Sequence, residues 1–256
     1  MPFTVSHAVV ALPFVRTPLL PAAIAIGAMT PDLPLFVRGT PVSYQLTHTN
    51  LAVSTLIAAG LTVLWYLLLR PAVRALSPTW LAARLPAEWD RVGIPAWWSR
   101  RPAWASALLA ALSLLLGVAS HIAWDAFTHE GRWGTTLFPA LDERWGPLLG
   151  LKWLQYGSSA FGLIVLAVAA FLWLRRRPPS TPATGIPAAV RWSWWLSLPL
   201  VLVCAWAIGV VVHGPFTSAW TVQHLAYRVL PPACAVWGAA TLVLCIAIAV
   251  RRRRAA

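Results

Sequence analysis

The sequence predicts an all-α, polytopic transmembrane helical bundle of five full spans, preceded by an N-terminal re-entrant or interfacial helical hairpin. Of its 256 residues, 59% are hydrophobic and 11% are charged, whereas soluble domains have about 45–50% apolar and about 25% charged residues. Five stretches of 18 to 25 residues, charge-free except for Asp125 in one of them, match the roughly 20 apolar residues that a helix needs to cross a bilayer. Backbone groups in hydrocarbon find partners only within helices or closed barrels, and no stretch alternates with the period of a strand.

The first forty residues predict the hairpin. The apolar stretch 8–29 is interrupted near its middle by Pro13, Arg16, Pro18 and Pro21. Proline breaks a helix, and each half of the stretch is about a dozen residues, which is too short to span a membrane. A cleavable signal peptide is the alternative, but no basic region precedes the stretch and no small-residue cleavage site follows it.

The five predicted spans are separated by short segments rich in arginine, proline or polar residues. The spans are 51–69, 103–127, 154–174, 195–212 and 233–250. A Pro/Ser/Thr-rich stretch follows the third span and is typical of a linker. We therefore expect three regions: a metal-site-bearing membrane core at 1–176, a linker at 177–190, and a two-helix C-terminal membrane unit with an Arg-rich tail at 191–256.

The charge distribution predicts the orientation. The chain has 20 Lys and Arg against 7 Asp and Glu, and fourteen of those cations lie at 70–102, at 175–191 and in the C-terminal tail. Short loops rich in Lys and Arg stay in the cytoplasm. We expect a multi-pass protein of the bacterial inner membrane, with a cytoplasmic C-terminus and the loop 128–153 outside. Because these arginines set topology, membrane lipid is the expected partner and nucleic acid is not.

The scarce ionisable residues within the spans indicate a site, because each costs at least about 2.5–3.5 kcal/mol to insert. His121, Asp125 and His129 are spaced by four at the end of the second predicted span. That spacing places His121 and Asp125 on one helix face, one turn apart. An imidazole and a carboxylate so placed form half of a zinc or manganese site. The alternative is a buried His–Asp hydrogen bond that only positions the helix.

Three further residues end apolar segments on the same predicted side of the membrane. Taken singly, Asp32 is typical of a turn or helix cap, and His7 and His48 are typical of interfacial residues. Together with the residues of the second span they supply four imidazoles and two carboxylates. That set is enough for a mononuclear or dinuclear site in which Asp125 bridges two ions. The expected cofactor is a divalent metal, with zinc preferred and manganese as the alternative.

The start of the third predicted span supplies candidate substrate-binding donors. They are Lys152, Gln155, Tyr156, Ser158 and Ser159. Lys152 and Tyr156 are one turn apart, as are Gln155 and Ser159, so the group can hold an anionic head group beside a metal. The alternative is close helix packing through the small residues at 157–159.

These residues lie in motifs that resemble a known family. The motifs are Ser6-His7-Ala8, Thr30-Pro31-Asp32, Thr47-His48-Thr49, His121-Ile-Ala-Trp-Asp125-Ala-Phe-Thr-His129 and Lys152-Trp-Leu-Gln155-Tyr156-Gly-Ser158-Ser159. Over about residues 1–176 they resemble the bacterial membrane proteins of domain of unknown function 4184. More distantly, the pattern is similar to membrane-bound metal-dependent hydrolases related to zinc-dependent phospholipase C. In those enzymes a cluster of zinc ions activates water against a phosphodiester.

The resemblance implies a ligand set. By it, Asp32, His48, His121 and Asp125 form a first metal site, His7 joins Asp125 at a second, and His129 is a further ligand. The sequence departs from the pattern of those enzymes in two respects. The soluble phospholipases use a processed N-terminal residue as a ligand, which Met1 followed by Pro2 does not reproduce. The sequence also has no further His-x-x-x-Glu pair, so a complete trinuclear centre is not expected.

The sequence therefore predicts a membrane-embedded metal-dependent hydrolase of a phosphoester, with a lipid-linked phosphoester as the candidate substrate. One alternative is a non-catalytic carrier or assembly factor whose His/Asp cluster is a structural or proton-relay network. A second is a module that binds anionic lipid through its arginine-rich loops. The sequence indicates no oligomeric state.

Overall fold

The computed structural model describes residues 3–95, 98, 100–181 and 185–255, and nearly all of its regular structure is helical. Within these described ranges, five helices are long and apolar enough to cross a membrane, which confirms the predicted fold class. The chain forms two compact units. The first comprises Met1–Leu33, Val42–Val63 and Pro95–Arg176, and the second comprises Pro34–Pro41, Leu64–Ile94 and Arg177–Ala256. The predicted core, linker and C-terminal unit stay predictions.

The N-terminal segment folds into two short helices that pack against each other. Thr4–Phe14 is a 3₁₀ helix, and α1 (Pro21–Met29) is an α-helix. In the turn between them the Thr17 hydroxyl donates to the Phe14 carbonyl. Proline suits the first position of α1 because that position needs no N–H donor and its fixed φ is already helical. This pair is the predicted helical hairpin.

Three short segments follow α1, and the first and third of them carry site residues. They are the 3₁₀ turn Thr30–Asp32, α2 (Leu33–Phe36) and α3 (Tyr44–Thr49). The Ser43 hydroxyl caps α3 by accepting a hydrogen bond from the Leu46 N–H, an interaction typically worth about 1 kcal/mol. The Thr47 hydroxyl donates to the Pro31 carbonyl at 2.7 Å. This bond holds α3 against the 3₁₀ turn.

Each spanning helix is longer than its predicted window. The first span, Leu51–Leu76, consists of α4 (Leu51–Leu64), a π turn (Trp65–Leu69) and α5 (Arg70–Leu76). After α6 (Thr79–Ala82) come α7 (Ala103–Thr128), α8 (Trp133–Leu137), α9 (Gly150–Arg175), α10 (Ala188–His213) and α11 (Val222–Ala255), of which α6 and α8 are short. The windows stop near charged residues, whereas the helices continue to the interface, where long cationic side chains reach water.

The first unit is built around a close crossing of α1 and α7 at two glycines. A Cβ atom on Gly117 would lie 2.2 Å from the Ile24 carbonyl oxygen, and one on Gly27 would lie 2.7 Å from the Leu114 carbonyl oxygen. Small residues let membrane helices approach this closely. The contact buries Val118 completely and fixes α1 against α7.

The N-terminal 3₁₀ helix packs on α9 at a third glycine. A Cβ atom on Gly162 would lie 2.9 Å from the Ser6 carbonyl oxygen. Nearer the start of α9, the Ser159 hydroxyl accepts a hydrogen bond of 2.9 Å from the Phe3 N–H. The 3₁₀ helix is therefore held by α1 and α9, and this places His7 in the interior.

The connection from α7 to α9 is a compact loop. It contains α8, the 3₁₀ turn Pro139–Asp142, β1 (Arg144–Trp145) and β2 (Leu148–Leu149). The two strands pair antiparallel around Gly146, whose φ of 71° is a conformation that favours glycine. At the start of the loop, Gly134 lies so close to the Ala126 carbonyl that an added Cβ would be 2.4 Å from its oxygen.

The second unit contains the pair α10 and α11, which is joined by partly buried tryptophan hydrogen bonds. The Trp237 indole N–H donates to the Ser197 hydroxyl at 2.8 Å, and the Trp194 indole N–H donates to the Thr241 hydroxyl at 3.1 Å. Tryptophan usually finds a hydrogen-bond partner when it is buried. These bonds link the two helices across their shared face.

Candidate metal centre

Four buried side chains from three segments meet in the first unit. Asp32 ends the 3₁₀ turn that follows α1, His48 lies in α3, and His121 and Asp125 lie one turn apart in α7. One ligand atom from each lies within 4.8 Å of the other three. At most 4% of any of these residues is exposed. We call these four residues the metal cluster.

The distances inside the metal cluster suit a shared cation. The His121 Nε2 atom lies 3.4 Å from Asp125 Oδ2 and 3.7 Å from Asp32 Oδ1. The His48 Nε2 atom lies 3.5 Å from Asp125 Oδ2, 4.0 Å from Asp32 Oδ1 and 3.3 Å from His121 Nε2. Ligand atoms about 2.0–2.2 Å from a tetrahedral zinc ion are about 3.3–3.6 Å apart, whereas N–H···O hydrogen bonds are about 2.7–3.2 Å long. The separations among His48, His121 and Asp125 lie in the coordination range and exceed the length of a hydrogen bond, whereas the two separations to Asp32 are longer than both ranges.

Backbone carbonyls orient both imidazoles. The His121 Nδ1 atom lies 2.7 Å from the Ala28 carbonyl oxygen, and the His48 Nδ1 atom lies 2.9 Å from the Tyr44 carbonyl oxygen. Because a carbonyl only accepts, each Nδ1 carries the proton and each Nε2 presents a lone pair to the centre. Metal-binding histidines commonly have such a partner. The contact from His121 depends on the α1–α7 crossing, since Ala28 belongs to α1.

The two carboxylates keep oxygens for a ligand. The Thr4 hydroxyl donates to Asp32 Oδ2 at 2.7 Å, and the Tyr44 hydroxyl lies 3.4 Å from Asp125 Oδ2. Among the residues that the structure describes, the buried atoms Asp32 Oδ1 and Asp125 Oδ1 have no hydrogen-bond partner. Buried polar atoms without a partner are costly. A cation held by these oxygens would offset that cost.

His7 and His129 surround the metal cluster. The His7 Nε2 atom lies 3.7 Å from Asp125 Oδ1, and the His7 ring stacks on His121 with 4.1 Å between centroids. The His129 Nδ1 atom lies 3.5 Å from Asp125 Oδ2 but also 3.1 Å from the Asp125 backbone carbonyl. The structure thus brings all six predicted ligand residues together, with Asp125 in contact range of the four imidazoles.

Burial sets the protonation of the groups that lie outside the spanning helices. It lowers the pKa of His7 to about 3 and lowers the pKa of His129, so both imidazoles are neutral at pH 7 and can act as ligands. Burial also raises the pKa of Asp32, because a carboxylate loses hydration there. When both are ionised, the Asp32 and Asp125 carboxylates match the charge of one divalent cation, and the neutral His7 and His129 rings add no charge.

The predicted substrate-binding residues lie at the start of α9 with partners of their own. The Lys152 ammonium donates to the Gln155 side-chain oxygen at 3.3 Å, and Ser159 donates to the Gln155 carbonyl. Gln155 is 1% exposed, and its Nε2 atom has no hydrogen-bond partner within the described part of the chain. Tyr156 is 42% exposed. Their role towards a substrate stays a prediction.

The alternative for this segment, close helix packing through the small residues at 157–159, is only partly right. An added Cβ at Gly157 meets none of the described residues within 4 Å, and the close approach is at Gly162 instead. Ser158 does bridge two helices, because its hydroxyl accepts a 3.1 Å hydrogen bond from the Trp124 indole in α7.

Two site residues were not predicted from the sequence. Thr4 donates to Asp32, and Tyr44 lies against both His48 and Asp125, with 3.8 Å between the Tyr44 and His48 ring centroids. Tyr44 precedes His48 by one helical turn, and that spacing was a usable signal. Thr4 offered none, because its partner is 28 residues away.

Comparisons with known proteins identify the family of the chain but no individual relative. No curated protein and no solved structure matches the chain. A family model described as "Domain of unknown function (DUF4184)" matches residues 1–251. The match continues beyond residue 176, where the sequence resemblance was expected to end, and includes α10 and α11. The chain therefore belongs to the DUF4184 family.

Proposed function

We propose that the protein is a membrane-embedded, metal-dependent hydrolase of a phosphoester. The observation that carries the proposal is the metal cluster: two imidazoles and two carboxylates, buried and spaced for one cation. An ion bound there would lower the pKa of a coordinated water and polarise a phosphoryl oxygen. The donor set of two nitrogens and two oxygens suits zinc, with manganese as the alternative.

The chain's own residues have distinct roles in this proposal. Asp32, His48, His121 and Asp125 hold the metal. His7 and His129 flank Asp125 and offer further ligands. The buried Gln155 amide and the Lys152 ammonium supply donors for the oxygens of an anionic substrate. The substrate class rests on the distant resemblance to hydrolases and on the donors at the start of α9 in the same unit.

The proposal is tested by hydrolysis of bis(p-nitrophenyl) phosphate and p-nitrophenyl phosphate by detergent-purified protein loaded with zinc. We expect release of p-nitrophenolate that stops on chelation and returns with zinc. We expect His121→Ala to lose at least about 100-fold in rate, because metal catalysis contributes several kcal/mol. His224→Ala removes an exposed histidine of the other unit and should retain full activity.

Two results would reject the hydrolase. One is wild-type protein that binds zinc but is no faster than His121→Ala on either ester. The other is activity that ignores chelators but follows pH through histidine titration, which is the behaviour of the non-catalytic proton-relay network.

We further propose that the site faces the extracytoplasmic side of a bacterial inner membrane, with the C-terminus in the cytoplasm. The arginine distribution supports this orientation. In a variant without the three native cysteines, we expect Glu130→Cys to react with a membrane-impermeant maleimide in intact cells. Pro178→Cys should react only after permeabilisation. Both positions are exposed, and the reverse labelling pattern would invert the topology.

A further inference from the structure

A groove of about 380 Å³ lies between the N-terminal 3₁₀ helix, α7 and α9. Its volume falls within the roughly 300–1,000 Å³ of small-molecule sites. Its wall includes Val9, Val10, Trp124 and Phe161, three serines, and His7. All these residues belong to the first unit. We call this cavity the His7 groove.

The serine hydroxyls of the His7 groove already donate hydrogen bonds to the backbone of the protein. The hydroxyls of Ser6, Ser120 and Ser158 donate to the carbonyls of Phe3, Gly117 and Gln155 respectively. Apart from His7, the remaining named wall residues are apolar or aromatic. The groove therefore favours an apolar occupant over a sugar or a peptide, whose polar groups would find few partners.

The His7 groove lies at hydrocarbon depth. Ser120 is eight residues from the end of α7, and Phe161 is eleven residues from the start of α9. At 1.5 Å per residue these positions are about 12 Å and about 16 Å along their helices, within a hydrocarbon core about 30 Å thick. Trp124 and Phe161 are 40% and 68% exposed, so this wall borders the outer surface of the bundle, where lipid lies.

The His7 groove and the metal cluster share a residue. His7 forms part of the groove wall, its ring stacks on His121, and its Nε2 atom lies 3.7 Å from Asp125 Oδ1. A ligand in the groove can therefore place one end beside the metal cluster. A phosphate at that end complements the charge of a divalent cation.

We propose that the His7 groove holds the hydrocarbon chain of a lipid phosphoester whose phosphate lies at the metal cluster. The identity of the head group rests on the proposed function, whereas the apolar occupant rests on the groove alone. The substrate then enters sideways from the bilayer, with its chain between the 3₁₀ helix and α9.

The test is photo-crosslinking in phosphatidylcholine vesicles that contain zinc and a phosphatidic acid with a diazirine on its acyl chain. We expect cross-links, mapped by mass spectrometry, at residues 6–10 and 158–162. Ser120→Phe fills the groove and should lower their yield about tenfold. Ala119→Phe adds the same side chain at an exposed neighbouring position and should leave the yield unchanged. A diazirine diacylglycerol, which lacks phosphate, should label the groove less than phosphatidic acid.

A second groove-filling variant is needed because Ser120 is adjacent to His121, so that Ser120→Phe could disturb the metal cluster directly. Val10→Phe fills the groove from the opposite wall, and both variants should retain bound zinc. Labelling that is equal in wild type and in both zinc-retaining variants overturns the proposal, as does equal labelling by the two lipids. If groove labelling falls in both variants and is stronger with phosphatidic acid than with diacylglycerol, but no phosphoester is hydrolysed, only the hydrolase is rejected. Hydrolysis of the water-soluble esters with labelling spread evenly over the bundle rejects only the groove.

Discussion

Asp125→Asn is expected to abolish stoichiometric metal binding. Wild-type protein incubated with zinc and then dialysed should retain about one ion per chain, and the variant should bind at least about 100-fold more weakly. The reason is geometric and electrostatic: the Asp125 carboxylate lies within 3.7 Å of nitrogens from four histidines. Asparagine keeps the shape but removes the charge that balances the cation.

The measurement is elemental analysis by inductively coupled plasma mass spectrometry, with zinc affinity from competition against a chromogenic chelator. Asp142→Asn is the matched control, because Asp142 is exposed in the α7–α9 connection of the same unit and should keep wild-type zinc content. Wild-type protein without stoichiometric zinc or manganese would end the metal hypothesis. Retention of zinc by Asp125→Asn would remove Asp125 from the ligand set.

Gly117→Ala is expected to destabilise the first unit and to weaken the metal site. The added methyl group would lie 2.2 Å from the Ile24 carbonyl oxygen, 2.8 Å from the Ala28 nitrogen and 3.0 Å from the Gly27 Cα. Each of these neighbours is backbone, so no side-chain rotation relieves the overlap. Overpacking of this kind typically costs about 1–3 kcal/mol.

The shift of the α1 backbone that relieves this overlap would also affect the metal cluster. The Ala28 carbonyl fixes the His121 ring through the 2.7 Å hydrogen bond to Nδ1, and loss of such a partner typically costs about 10–100-fold in metal affinity. We therefore expect a lower melting temperature together with weaker zinc binding. Thermal unfolding monitored by tryptophan fluorescence, with zinc titration below the transition, checks both effects.

Gly60→Ala is the matched control for that experiment. Gly60 lies in the helical span that starts at Leu51, and an added Cβ there meets nothing within 4 Å in the part of the chain that the structure describes. Since alanine favours helix over glycine by about 1 kcal/mol, this variant should be at least as stable as wild type. A Gly117→Ala protein with unchanged melting temperature and zinc affinity would show that the crossing is not needed for the site.

The spans were predictable because the bilayer imposes a local rule. A helix in hydrocarbon must be apolar over a fixed length, and composition along the chain reports this directly. The ends were less predictable: α11 starts at Val222 although its predicted window starts at 233. Arg228 and the prolines at 231 and 232 interrupt the hydropathy pattern, whereas a helix near the interface continues through such residues.

The proximity of one pair of residues in the candidate site was predictable from the same kind of local rule. His121 and Asp125 are four residues apart on one helix, so their shared face was fixed by helical geometry. For Asp32 and His48, the sequence predicted only that both lie on the same side of the membrane as that pair. Their approach to within 4.0 Å of each other depends on the Thr47–Pro31 hydrogen bond, which joins α3 to the turn after α1.

The sequence by itself determined the helical membrane fold and the scarce polar residues that can bind a cation, because both are properties of short stretches read against the bilayer. Only the tertiary structure decided that Asp125 lies among four imidazoles, that Ala28 orients His121, and that His7 joins the cluster to an apolar groove. These relations join segments up to 156 residues apart, from Ser6 to Gly162 in the groove wall. Such distances are closed by glycine-mediated helix packing, which no local pattern specifies.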